Sequence, residues 1–229
     1  MIYKVCWSGG KDSTAAMYLH LQEKHNVHSV CYIPMLTEEI PLIMPEHYKH
    51  IIRTADYFRK KGAIVDIVSG ITYEKHVHTI LTKGKNKGKF RGIGLGFGFC
   101  LFRDYSKLKA LRGVKFSYDY EDIGIAFDEI KRHSQLVKPK MSILCDKGYT
   151  EKDAMQICYD NGILSPIYKN NTRDGCAICP NAKKEVLQQY IKEYPNAKYI
   201  LLEIERFCKT HRPENAPYRN NIWFSEKMC

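Results

Sequence analysis

The chain has no run of 18 consecutive apolar residues, and its opening MIYKVCWSGG holds no apolar stretch followed by a small-residue cleavage site. A membrane-spanning helix and a secretory signal are therefore not expected, no membrane partner is implied, and the chain reads as cytoplasmic. No internal repeat is visible, so one compact body is expected rather than a repeat array. The nine histidines include no H-E-x-x-H pair, and no G-x-x-x-x-G-K-[ST] stretch occurs, which removes the zincin helix and the Walker phosphate loop. His76 and His78 read as residues of a solvated edge. Acid is also scarce: 25 Asp and Glu face 36 Lys and Arg, for a net charge of +11. The shortage is local. Between Lys83 and Lys115 ten basic residues meet one acid, Asp104, and this window carries nine of the eleven excess charges. Such concentration suits an anionic partner, whether nucleic acid, a nucleotide or pyrophosphate; a solvated basic loop is the plain alternative.

The 229 residues are 44% hydrophobic and 27% charged, ordinary globular usage, and long enough for one domain with a sizeable appendage. Nine cysteines, an odd number without an export signal, point to reduced thiols rather than a disulfide framework. Ile2 to Trp7 reads as a buried strand, Ser13 to about His25 as a helix stopped at Asn26, and Ser29 to Met35 as the next strand. A helix opening at Pro45 and ending at Gly62 leads into a strand from Ala63 to Val68. The stretch from Thr82 to Phe99 reads as a mobile glycine-rich loop, and Asp122 to Ala126 as a further strand. Thr150 to Asp153 resembles a capping box for a helix closed by Asn161-Gly162. Val186 to Tyr194 gives a helical stripe broken at Pro195, with a short helix over Glu203 to Cys208. Strand, helix, strand, helix, strand with short links predicts an α/β fold with a doubly wound, mostly parallel sheet and a C-terminal helical, cysteine-bearing extension. Residues 1–135 form the expected core and residues 136–229 the extension packed on it.

The stretch CWSGGKDS follows the first strand and opens the first helix. A glycine-rich turn there aims backbone N–H groups at one point, and the helix N-terminus adds partial positive charge, so the turn suits phosphate. Gly9 and Gly10 permit close approach, Ser8 and Ser13 carry hydroxyls, and Lys11 adds a charge-assisted bond. Asp12 would be repelled by bare phosphate and makes sense as a residue that orients the loop or helps to hold Mg²⁺.

The spacing S-G-G-K-D-S resembles the pyrophosphate loop of the PP-loop ATP pyrophosphatases, which cleave ATP to AMP and pyrophosphate, with an adenine nucleotide alpha hydrolase-like core. DIGIAFDEIKR, with Glu129 and Arg132, GFCLFRDYSKLKAL, with Cys100 and Lys107, and GILSPIY followed by GCAICP resemble the branch similar to phosphoadenosine phosphosulfate reductase. The likeness runs from residue 2 to about 195. Two features depart from that branch. The second strand runs into Leu36-Thr-Glu-Glu39, so no adenosine contacts are assigned, and the chain ends WFSEKMC without a Glu-Cys-Gly tail while its loop is whole. The resemblance therefore implies ATP cleavage rather than sulfate reduction. It casts Lys11, Asp12, Glu129 and Arg132 as catalytic and Ser8 to Ser13 as the nucleotide cradle.

Cys176-x-x-Cys179 has the spacing of zinc and iron–sulfur sites, although two ligands are not a site. Cys100, matched through the resemblance, and Cys208 or His211 are the candidates to complete it, for Zn²⁺ or a [4Fe–4S] cluster; a dithiol or plain packing is the alternative. Cys6, Cys31, Cys145 and Cys158 read as core. The expected function is ATP-dependent adenylation of an acceptor, with tRNA or DNA activated for sulfur incorporation. ATP, Mg²⁺, the nucleic acid, a sulfur-donor protein and a second copy of the chain are the implied partners. A sulfonucleotide reductase and a non-catalytic nucleic-acid-binding module are the rival readings.

Overall fold

The computed structural model describes residues 1–96, 99–170, 175–213 and 222–229. In order they form β1 (Ile2–Val5), α1 (Lys11–Gln22), β2 (Asn26–Tyr32), α2 (Pro45–Lys60), β3 (Ile64–Val68), α3 (Tyr73–His78), and the short strands β4 (Leu95–Gly96) and β5 (Phe99–Cys100). A π-helical turn (Arg103–Leu108) leads into α4 (Lys109–Gly113), followed by β6 (Tyr120–Asp122), α5 (Ile130–His133), β7 (Lys140–Met141), α6 (Ile143–Asp146) and α7 (Glu151–Asp160). A 3₁₀ turn (Pro166–Asn170), α8 (Lys184–Glu193), α9 (Pro195–His211) and α10 (Phe224–Met228) complete the order.

The chain divides into two compact units. Met1–Tyr32, Glu46–Val68 and Val114–Asp174 form the first; Ile33–Pro45, Ser69–Gly113 and Gly175–Cys229 form the second. The sequence alone places one boundary after residue 135, but the division follows the sheet: β7 and α7 lie beyond that point and belong with β1.

The first unit is α/β, with the all-parallel sheet β3-β2-β1-β6-β7 flanked by helices. Ile2 lies opposite Asn26 on one side of β1 and Tyr3 opposite Tyr120 on the other. Strand order therefore reverses between β1 and β6, and in doubly wound sheets ligands gather in the crevice beyond the carboxyl ends of the strands at that reversal. Val5 and Trp7 are buried, and α1 packs through Ala15, Ala16 and Met17, with α6 and α7 beside it.

Several boundaries differ from the periodicity. Lys24 adopts φ 58° and the amides of Glu23 and Lys24 turn back to Leu19 and Leu21, so α1 ends at Gln22 and Asn26 opens β2 instead of stopping a helix. The strand expected at Asp122–Ala126 is β6, which ends at Asp122; beyond it the Ala126 amide is taken by the Glu129 carboxylate. α8 ends at Glu193, just before Pro195 as the stripe predicts, but the helix that follows is not short: Pro195 occupies the first turn of the 17-residue α9, where its missing N–H has no helical partner to lose. The capping box is present: Thr150 accepts from the Asp153 amide and the Asp153 carboxylate from the Thr150 amide.

In the second unit α8, α9 and α10 pack together and α3 packs on α9. Tyr190 donates to the Pro41 carbonyl at 2.9 Å, and buried Glu205 accepts from Ser225 and Lys209. The stretch read as a loop folds back on itself, with Ile80 bridged to Phe90 and β4 paired with β5; Phe97 and Gly98 lie outside the described residues. His76 is not on a solvated edge. The unforeseen α3 turns it inward beside Tyr73 and Phe102, and burial holds its imidazole down at about 3. Among the described residues no helix is long and apolar enough to cross a membrane.

Candidate functional site

The crevice is built from the residue that leaves β1. Cys6 donates its amide to the Asp122 carbonyl at 2.9 Å, holding the chain against β6. Buried Trp7 donates its indole N–H to Thr14 at 2.9 Å, which ties the loop's start to the first turns of α1. Between these points the chain must reverse tightly, and Gly9 makes this feasible at φ 80°. A Cβ there would lie 2.5 Å from Ile51 Cγ1 and 3.2 Å from His47 Cε1, so glycine is required by space as well as by backbone. Gly124, in the turn after β6, meets the loop from the other side: its Cβ would stand 2.7 Å from the Ser13 nitrogen. Two backbones thus approach where no side chain fits.

The two hydroxyls are spent on the loop itself. Ser13 Oγ donates to the Gly10 carbonyl at 3.2 Å and accepts from the Ser8 amide at 3.1 Å, with Ser8 Oγ 3.2 Å away. They shape the cradle. Of the amides in residues 9 to 13, Gly10 reaches Ser8 Oγ at 3.4 Å and Lys11 donates to Tyr168 Oη at 2.9 Å. Those of Gly9, Asp12 and Ser13 have no acceptor among the described residues. A helix N-terminus preceded by such amides presents donors of the kind that oxyanions accept from.

Lys11 stands at its mouth with a side chain 12% exposed. Its ammonium donates to both oxygens of Asp12 at 2.9 Å and to Glu151 at 2.7 Å. Burial alone would lower its pKa, but the bonds from Glu151 and Asp12 outweigh burial and the net shift is upward, so the cation is secure. The Asp12 carboxyl is shifted upward, chiefly by burial, with Lys11 opposing. Cys158 donates to the Lys11 carbonyl at 3.2 Å, and burial pushes its thiol up to about 12. Glu151 is absent from the sequence-derived set. Its local signal is only an acid in the first turn of α7, and the packing of α7 against α1 brings it to Lys11.

Glu129 stands at the N-terminal boundary of α5 without a side-chain capping bond and lies within electrostatic reach of Asp12, while Arg132 is engaged by the Glu129 carboxylate. Beneath the crevice the wholly buried Asp122 accepts from the Ile143 amide and faces His20 Nε2 at 2.8 Å; its other oxygen has no partner among the described residues.

The four cysteines proposed as ligands are not gathered. Cys100 and half-buried Cys179 are within electrostatic reach of each other, and Cys100 accepts from the Arg103 amide at 3.3 Å. Cys176 is half-buried, whereas Cys208 lies in the core, where burial pushes its thiol up to about 12. His211 is exposed and stacks on Phe207. Among the described residues no three His, Cys, Asp or Glu side chains are placed to hold one metal ion. Cys31, Cys145 and Cys158 are buried as core, and Cys6 is half-buried.

Compared with known proteins, the chain matches no family model and no curated protein.

Proposed function

We propose that the chain is an ATP pyrophosphatase that adenylates an acceptor, with the departing pyrophosphate held by Ser8 to Ser13. The observation that carries this reading is the loop at the sheet's reversal point, where Gly9 and Gly124 clear space and the amides of Gly9, Asp12 and Ser13 lack acceptors among the described residues. An acceptor oxygen attacks the α phosphorus, a new P–O bond forms, and the bond from that phosphorus to the bridging oxygen breaks. Pyrophosphate leaves with the electron pair, and the adenylyl group stays on the acceptor. The chain's part is positioning and charge: amides and the Lys11 ammonium face the oxygens on which charge grows. Before substrate arrives Lys11 is clasped by Asp12 and Glu151, so phosphate oxygens compete for it with two carboxylates.

Mg²⁺ enters with ATP as part of the substrate. Two carboxylates plus phosphate oxygens make an ordinary donor set for it, and Asp12 and Glu151 are the pair that fits; the ion neutralises phosphate charge. The cysteine set does not fit one metal as placed, and no step is assigned to it.

Nucleic acid is the proposed acceptor, tRNA or DNA activated for sulfur incorporation. Lys83, Lys85, Lys87 and Lys89 are all exposed in the basic window, which supports a polyanion. Anaerobically purified protein incubated with α-labelled ATP and Mg²⁺ should release pyrophosphate faster when bulk tRNA or DNA is added, with the label carried onto the nucleic acid or freed as AMP where water discharges the adenylate. ADP as the sole product contradicts the reaction. Sulfite release from an activated sulfate without ATP cleavage would identify a reductase instead, and salt-sensitive strand binding without pyrophosphate a binding module.

A further inference from the structure

The second unit contains a cavity of about 450 Å³, within the size range of small-ligand sites. Its walls are the turn after β3, the end of α3, Arg91, and the π-helical turn with the start of α4. The π-helical turn is six residues long, inside helical residues 101–113. Such turns are rare and recur at functional sites. Here the turn points Tyr105 and Ser106 to the cavity wall. Gly70 lets the opposite wall press against it: a Cβ on Gly70 would stand 2.5 Å from the Ser106 carbonyl oxygen.

The chemistry of the wall is one-sided. Among its described residues it carries the cations Arg91 and Lys109, the hydroxyls of Ser69, Thr79, Tyr105 and Ser106, and no carboxylate. The Arg91 guanidinium carbon lies 3.6 Å from the centre of the Tyr105 ring and its Nη1 donates to His76 Nδ1 at 3.4 Å, so its plane is held in one orientation. Asp104, the lone acid of the basic window, is held by Arg103 through two bonds of 3.0 Å. Lys109 is exposed at the cavity rim.

We infer that this cavity binds a phosphate-bearing group of nucleotide size, with Arg91 and Lys109 as the cations that face its phosphate. A stacked guanidinium suits recognition of phosphate; Thr79 and Ser106 donate their hydroxyls to the Lys75 and Ile71 carbonyls, so Ser69 and Tyr105 are the wall residues whose hydroxyls can add to the shell. The site is composed of second-unit residues alone and stands whether or not the loop of the first unit cleaves ATP. Two sources supply this chemistry: a free mononucleotide and the phosphodiester of a single strand.

The test uses the full chain at low salt, a short fluorescein-labelled single strand followed by anisotropy, and AMP followed by calorimetry. Lys109→Glu should weaken at least one of the two probes by roughly tenfold or more, the size of one lost charge-assisted contact. Lys198→Glu makes the same charge change at an exposed position of α9, outside the cavity and the basic window, and should have a much smaller effect. Arg91→Lys keeps the charge, loses the fork, and should weaken the same probe. If AMP is the affected probe the ligand is a free nucleotide; if only the strand is affected it is the phosphodiester. Equal losses from Lys198→Glu and Lys109→Glu, no loss from Lys109→Glu, or no binding of either probe would overturn the inference.

Discussion

Lys11→Ala should lower the rate of pyrophosphate release from ATP by about 10²–10³-fold, the usual effect of removing one preorganised donor at a site of growing charge. The sign follows from what remains. Without the ammonium, Asp12 and Glu151 face an incoming polyanion with nothing between them, so electrostatics at the loop turn from attraction to repulsion. Glu151→Gln separates catalysis from folding. In the double variant one of the uncompensated carboxylates is gone, so melting temperature should recover toward that of the parent while the rate stays low. A rate within a few-fold of the parent for Lys11→Ala would remove Lys11 from the mechanism.

His20→Leu should destabilise the first unit by about 3–5 kcal/mol, because removing one partner of a wholly buried pair leaves the other uncompensated. Both side chains of the His20–Asp122 pair have zero exposure, and the remaining Asp122 oxygen has no partner among the described residues to take up the loss. At roughly 2–4 °C per kcal/mol for a chain of this size, the melting temperature should fall by roughly 6–20 °C. Asp122→Asn should cost less, since an amide oxygen still accepts from the Ile143 amide. Urea unfolding followed by far-ultraviolet dichroism measures both. A loss under about 1 kcal/mol for His20→Leu would mean that the pair is not structural.

The parts of this protein that could be read from sequence are those whose causes are local. A buried strand followed by Ser-Gly-Gly and a helix announces the loop, because glycine spacing, strand end and helix start are neighbours in the chain. Thr150 and Asp153 announce α7 for the same reason. What escaped depends on distant partners. Glu151 reaches Lys11 across 140 residues and His20 meets Asp122 across 102, and no periodicity encodes either contact. The hydroxyls of Ser8 and Ser13 were visible, but their mutual engagement was not, because it depends on the path of the turn. β6 is too short to carry a pattern of its own: its three residues gain their strand character from pairing with β1 and β7. The two units escaped because the chain leaves the sheet after β2, returns, and leaves again after β3.

Whether the first loop grips the terminal phosphates of ATP is measured most directly by a crystal structure with α,β-methylene-ATP and Mg²⁺. The expected result places the β and γ phosphoryl oxygens within hydrogen-bond distance of the amides of residues 9 to 13, with the Lys11 ammonium drawn from Glu151 onto phosphate. A structure with the phosphates bound elsewhere, and Lys11 still clasped by Asp12 and Glu151, would contradict it.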